Sequence, residues 1–235
     1  MEKGSFEPKV AIVTGAGRGI GKATAMALAS RNVAVALISR TSADLEAVAS
    51  EIQSTGGRAL VYPADVSDGA QVQDLVTETT RQLGSVDVLV NNAAIVEPNL
   101  IVDTPEESWD RVLDINLKAA FLSTKAVLPS MLKRRRGRII MVSSISGRLG
   151  TPRLASYCAS KWGLIGFCKA TAEETREHDV QVFSVCPGSV DTEMLRRGLP
   201  GAEPQMTPDD VATLILYLAT EAPAAMTGTA IDMFG

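Results

Sequence analysis

The chain has 235 residues, 46% apolar and 21% charged, with 23 Lys plus Arg against 27 Asp plus Glu, a net charge of −4. That composition excludes a disordered or low-complexity chain and suits a packed globular protein. A mildly acidic chain has no general pull toward nucleic acid or anionic lipid, and no run of 18 apolar residues occurs, so neither nucleic acid nor membrane is expected as a partner.

In chain order, residues 9–14 (KVAIVT) read as a buried strand. A glycine-rich turn over 15–21 follows, then an alanine-rich stretch over 22–31 whose composition favours helix. Strands are expected again over 33–39 (VAVALIS), 58–63 and 86–91 (VDVLVN). Between the last two, Val72, Leu75, Val76 and Leu83 fall on one stripe of a helix over 68–83. Thr104-Pro105-Glu106-Glu107 carries helix-start signals, with Thr104 as cap and Pro105 in the first turn. Residues 138–143 (RIIMVS) and 180–186 (VQVFSVC) read as further strands. Thr207-Pro208-Asp209-Asp210 repeats the helix-start device with an acidic first turn, and a short last strand is expected over 229–232.

Strands apolar on both faces suit a parallel sheet covered by helices on each side. No Pro/Gly/Ser-rich linker and no internal repeat divides the chain. The element order therefore predicts a single doubly wound α/β domain over 1–235, with a mostly parallel seven-stranded sheet. Ligands of such sheets bind outside the carboxyl ends of the strands.

The first strand runs into Thr14-Gly15-Ala16-Gly17-Arg18-Gly19-Ile20-Gly21. Glycine permits a tight turn and a close backbone approach to a diphosphate, and the following helix offers free N–H groups and a positive dipole end. Gly15, Gly19 and Gly21 are spaced G-x-x-x-G-x-G; Ile20 stands where the common G-x-G-x-x-G fingerprint needs its third glycine. Asn91-Asn92-Ala93-Ala94 closes the fourth strand, Tyr157-x-x-x-Lys161 lies thirteen residues beyond Ser144, and Pro187-Gly188-Ser189-Val190-Asp191-Thr192 follows the sixth strand. Together, in this order, these segments resemble the short-chain dehydrogenase/reductase family over essentially the whole chain. The resemblance implies a Rossmann-type fold and hydride transfer between a nicotinamide cofactor and a ketone or aldehyde. By general appearance the nearest relatives are the 3-oxoacyl-acyl-carrier-protein reductases.

In dinucleotide folds an acidic side chain about 20 residues past the glycines holds the ribose 2′-hydroxyl and selects NAD. No Asp or Glu occurs from 33 to 43; Ser39 stands at that place, Arg40 follows, and Arg18 can reach the same region. Two guanidinium groups there would pair with a 2′-phosphate, so NADP(H) is expected over NAD(H). The alternative is that both arginines are solvated loop residues. The resemblance further implies that Asp65 and Val66 border the adenine, that Asn92 lies near the adenosine ribose, and that Ala93, Pro187 and Gly188 join the cofactor site. Thr192 is implied to contact the nicotinamide carboxamide beside the Val190 backbone. Asp65 also reads as a helix cap.

Tyr157 and Lys161 are i and i+4, hence on one helical face. A free phenol titrates near 10; a neighbouring ammonium favours the phenolate and is expected to lower that value toward working pH. Tyr157 is thus the expected proton donor to a carbonyl, and Ser144 the hydroxyl that orients the carbonyl oxygen. Ser143 competes for that role, but adjacent strand residues point opposite ways. Asn116 matches the family's fourth catalytic member, implied to support a water that links Lys161 to solvent. Asn has low helix propensity, so its place in a helix asks for a reason.

Cys158, Cys168 and Cys186 are odd in number and form no C-x-x-C pair, and His178 is the one histidine, so neither a disulfide framework nor a metal site is expected. His178 reads as a surface residue. Residues 1–9 show no apolar core like that of a secretion signal, which suits a cytoplasmic protein. The run Lys133-Arg134-Arg135-Arg136-Gly137-Arg138 reads as a helix C-terminus before a glycine stop; docking of an acidic acyl carrier protein is the alternative. Residues 193–206 lie where the family places a substrate lid, and a homodimer or homotetramer is implied by resemblance. The expected function is reduction of a 3-oxoacyl thioester or another carbonyl. A secondary-alcohol dehydrogenase, a small-ketone reductase and a non-catalytic NADP(H) sensor are the alternatives; a sensor does not need Ser144, Tyr157 and Lys161.

Overall fold

Strand side chains alternate between two apolar layers. In the computed structural model, which describes residues 6–235, Ala11 and Val13 of β1 (Val10–Thr14) enter one layer and Ile12 the other. Residues 1–5, the start of the segment read for a secretion signal, lie outside the described residues. In β2 (Ala34–Ser39), Val35 and Leu37 face the first layer, Ala36 and Ile38 the second. The same alternation runs through β4 (Val88–Asn91), β5 (Gly137–Val142) and β6 (Val180–Pro187). With β3 (Ala59–Pro63) and β7 (Ala230–Met233) they form a seven-stranded sheet in the order β3-β2-β1-β4-β5-β6-β7. Every pairing is parallel.

The first layer is closed by α1 (Gly19–Ala29), α2 (Ser42–Ser54) and α8 (Pro208–Thr220), through Leu28, Leu45, Ile52 and Ile215. The second is closed by α3 (Gly69–Gln82), α5 (Ala119–Arg134) and α6 (Ala155–Thr175), through Leu75, Val127, Met131 and Leu164. Fully burying each such side chain contributes roughly 1.5–3 kcal/mol. A shorter helix, α4 (Glu106–Leu113), leads into a π turn over Asp114–Lys118 that continues directly as α5.

The strands lie within two residues of their expected ends, but α1 starts three residues before the expected 22 and one expected helix cap is not formed. Thr104 does not cap α4: Pro105 is the cap position, and the Thr104 hydroxyl donates to the Leu100 carbonyl at 2.9 Å. The preceding 3-10 turn offers that hydroxyl a carbonyl before the helix can offer it an N–H. At α8 the expected device is intact, with Thr207 and Asp210 forming a reciprocal capping box. Asp68, not Asp65, caps α3.

The basic run sits at the amino end of β5, the sheet edge opposite the strands' carboxyl ends. Arg134 and Arg136 both pair with Asp87, Arg135 with Asp179, and Arg138 donates to the Leu218 and Ala222 carbonyls. The helix stop is Arg135 in the left-handed region (φ 50°), two residues before Gly137. These arginines brace the far edge of the sheet. Exposed His178 ends the 3-10 turn after α6. No helix among the described residues is long and apolar enough to cross a membrane.

Candidate active site

The chain reverses its direction of winding between β1 and β4, so the loops that leave them diverge and open a crevice. Thr14 and Asn92 fasten its floor. The Thr14 hydroxyl accepts from the Asn92 and Ala93 amides, each at 3.0 Å. Asn92 Nδ2 donates to the Thr14 carbonyl at 2.9 Å and to that of Gly15 at 3.2 Å. Asn92 therefore braces the glycine loop, besides lining the cavity beside it.

Gly15 has φ +67°, a conformation L side chains avoid, and a Cβ at position 21 would overlap the Gly15 carbonyl oxygen. The loop is thus pressed onto the first turn of α1. The α1 cap residue, Arg18, makes no side-chain capping bond, and no acidic residue lies in the helix's first turn. Uncapped amides and a positive dipole end behind a close-packed glycine turn fit a diphosphate.

A cavity of about 600 Å³ extends from this loop along the carboxyl edge of the sheet. Gly15, Arg18, Gly19, Ile20, Ser39, Arg40, Asp65, Val66, Asn92, Ala93, Tyr157, Lys161 and Thr192 all line it. At one end Asp65 accepts from the Ser67 hydroxyl at 2.6 Å and the Ser67 amide at 2.9 Å. Those bonds, with help from Arg40, hold its carboxyl below the usual range. The structure adds Asp44 to this wall, in the first turn of α2, next to Gly17. The sequence search for an acid stopped one residue short of it, at 43. Arg18 is ion-paired across the cavity mouth with Glu193.

Gly21, Asn116, Ser144, Pro187, Gly188 and Val190 are not among the residues lining this cavity. Gly21 is the seat of the glycine loop. The Pro187 carbonyl accepts from the Ser144 hydroxyl at 3.4 Å, and the Gly188 amide donates to Met233. Val190 is buried and bridged to Met206.

Beyond β5 the backbone places three groups together. Ser144 caps a 3-10 turn over Ile145–Gly147, and its hydroxyl is near enough to the Tyr157 phenol to favour the phenolate. Ser143 lines the cavity, but its hydroxyl is committed to the Lys161 carbonyl, to which it donates at 2.8 Å. Lys161 is buried, and its Nζ donates to the Val142 carbonyl at 2.9 Å. Burial pushes the Tyr157 phenol up to about 12, opposed by the neighbouring Ser144 hydroxyl, and brings Lys161 down to about 8. The expected lowering of the phenol by the lysine is therefore reversed by the protein's own groups. Desolvation of both side chains exceeds the attraction between a phenolate and an ammonium that is itself held by a carbonyl.

Asn116 lies in the π turn, which supplies the reason its helical position lacked. Its Oδ1 accepts from the Ile95 amide at 2.8 Å, and its Nδ2 donates to the Ile95 carbonyl at 2.9 Å and to the Ser160 hydroxyl at 3.1 Å. Ser160 in turn donates to the Tyr157 carbonyl at 2.7 Å, a link sequence reasoning missed. The Asn116 side chain is thus occupied in tying the loop after β4 to α6.

The segment over 193–206 folds back against this edge. Its short helix, α7 (Glu193–Gly198), is capped by Thr192, whose hydroxyl accepts from the Leu195 amide and donates to the Val190 carbonyl, both at 3.2 Å. Position 198 has no room for more than glycine's hydrogen without pressing Val96. Arg196 is paired with Asp191 at 2.6 Å, and both it and Arg197 line the cavity.

A family pattern described as short chain dehydrogenase matches residues 9–201. A 3-oxoacyl-(acyl-carrier-protein) reductase from Synechocystis is 40% identical, the alignment covering 97% of this chain and 96% of the relative. The protein of the same description from Thermotoga maritima is 35% identical, with 98% of each chain covered. Among solved structures, a short-chain type dehydrogenase/reductase from Mycobacterium marinum superposes with a TM-score of 0.91 at 35% identity, covering 98% of this chain and 95% of that one.

Proposed function

Because this chain belongs to the short-chain dehydrogenase family, we propose that it is an NADP(H)-dependent carbonyl reductase whose substrates are 3-oxoacyl thioesters of the carrier-protein kind. The observation that carries this reading is the convergence of Ser144, Tyr157 and Lys161 beyond β5, with the Lys161 ammonium 5.5 Å from the centre of the Tyr157 ring, beside a glycine loop shaped for a diphosphate.

When bound, the nicotinamide dinucleotide supplies the hydride. The glycine loop and the start of α1 would hold its diphosphate, and Arg18 and Arg40 would hold its 2′-phosphate. Asp65 and Val66 would border the adenine, and Asn92, Ala93 and Thr192 would line the rest of the groove, with Pro187, Gly188 and Val190 supporting the loop beside it. Ser144 donates to the substrate carbonyl oxygen and fixes it near Tyr157. Tyr157 gives that oxygen its proton; a phenol held up near 12 is in the acid form at neutral pH, as a donor must be. The Lys161 ammonium stabilises the phenolate left behind, and Asn116 and Ser160 keep the Tyr157 backbone in place.

The resemblance to 3-oxoacyl-(acyl-carrier-protein) reductases over nearly the full length supports the thioester class. The test is NADPH oxidation against 3-oxoacyl thioesters, diketones, steroids and small aldehydes, with NADH as control. Thioesters should lead the panel. Tyr157→Phe should lose turnover by about a thousandfold or more while NADPH fluorescence still reports binding. Turnover retained in that variant would defeat the mechanism; NADPH binding with no carbonyl reduced would favour a sensor.

A further inference from the structure

Ser144 has to hold a substrate oxygen, yet few bonds fix it. Its hydroxyl accepts from the Ser146 amide at 3.1 Å, and the Pro187 carbonyl is a distant 3.4 Å. The turn it caps is bonded mostly to itself: Gly147 to Ser144, and Arg148 and Leu149 to Ile145. Beyond it Leu149 and Gly150 are exposed. Besides the long Ser144–Pro187 contact, one side chain leaves this turn for the sheet. Arg148 Nε donates to Asp232 Oδ1 at 3.0 Å, and its Nη2 donates to the Ala230 carbonyl at 2.8 Å. Its guanidinium also faces the thiol of buried Cys186. Asp232 lies in β7, in register with Cys186 of β6, so the arginine reaches across β6 to the edge strand.

We propose that Arg148 is a positioning residue for Ser144, clasping the serine turn to β7 through Asp232 and the Ala230 carbonyl. The inference rests on the reductase reading above. Arg148 and Asp232 are 31% and 36% exposed, so as a salt bridge the pair adds little to stability. Its geometry matters more. Two hydrogen bonds leave one guanidinium in fixed directions, to the Asp232 carboxylate and to the Ala230 carbonyl, a geometry set by a planar fork and not by a lysine's single ammonium. Displacing a catalytic hydroxyl by 1 Å can cost on the order of a hundredfold in rate. The clasp therefore acts on the chemical step and leaves the cofactor groove alone, since neither Arg148 nor Asp232 lines the cavity.

The experiment compares Arg148→Ala, Arg148→Lys and Asp232→Asn in the full chain, each alone and Arg148→Ala also in a Ser144→Ala background. Arg148→Ala should lower kcat about tenfold with NADPH affinity unchanged, and Arg148→Lys about threefold, because it keeps the charge and loses the fork. In the Ser144→Ala background Arg148→Ala should cost nothing more, since its partner in the effect is gone. Hydrogen exchange should quicken over 145–150 in Arg148→Ala and not over the glycine loop. A wild-type kcat in Arg148→Ala, the same loss with and without Ser144, or unchanged exchange over 145–150 would each overturn the clasp. A wild-type chain that reduces no carbonyl would overturn the reductase reading instead, and exchange would still decide whether Arg148 holds the turn.

Discussion

The Lys161 ammonium lies 5.5 Å from the centre of the Tyr157 ring. Burial acts on the two groups in opposite senses, raising the phenol to about 12 and lowering the ammonium to about 8. Carbonyl reduction needs both in their protonated forms. The kcat for reduction should therefore be level below pH 7 and fall as pH rises through about 8, where Lys161 loses its charge well before Tyr157 loses its proton. A pH profile at saturating NADPH and substrate checks this. A rate that climbs from pH 7 to 9 would mean that a group other than Lys161 sets the profile.

The same burial makes Lys161 a cost to the fold. Its folded value of about 8 is below its ordinary 10.5, so the unfolded chain holds the proton more tightly. For a depressed value the contribution to stability is full above 10.5 and is lost as pH falls through about 8. At pH 7 the buried charge should cost about 3 kcal/mol. Lys161→Met should thus be inactive yet more stable than wild type at pH 7, with the advantage shrinking between pH 8 and 10.5. Urea unfolding at pH 7 and pH 10 measures it. An advantage that grows with pH would reverse the sign of the argument.

The fold was legible because strand alternation and strand-end motifs are local properties. KVAIVT and VAVALIS announce buried parallel strands by being apolar on both faces, and the structure adds only their order. Tyr157, Lys161 and Ser144 were singled out by the family's spacing, and the structure brings Tyr157 and Lys161 together on α6 near the end of β5, where Ser144 follows. What escaped notice depends on contacts between distant segments. Asp44 reaches the cavity only because α2 starts directly after β2. Arg148 finds Asp232 some 84 residues away. The phenol's upward displacement depends on how much water three elements together exclude, which no spacing encodes.

Arg40 lines the cavity near the end of β2, where no acidic residue belongs to the strand; Asp44, in the wall nearby, is the one carboxylate of α2's first turn. Arg40→Asp should remove a charge-assisted contact to the 2′-phosphate and oppose it with a second carboxylate. The ratio of kcat/KM for NADPH over NADH should fall by about 10- to 100-fold. Steady-state rates with both cofactors on one substrate measure it. An unchanged ratio would leave Arg40 as a solvated loop residue and undo the NADP(H) assignment.

Arg18 is the second cation offered to that phosphate, and Glu193 of α7 already holds it. The pair is exposed, so its strength is small, at most about 1 kcal/mol. A 2′-phosphate competing for Arg18 must nevertheless break it, whereas NADH, without that phosphate, need not. Glu193→Ala should therefore tighten NADPH binding about two- to fivefold and leave NADH binding where it was. Fluorescence titration of both reduced cofactors separates the two cases. Equal tightening for both would assign Glu193 a general effect of its negative charge at the cavity mouth, and weaker NADPH binding would show that the ion pair holds Arg18 in place for the phosphate instead of competing with it.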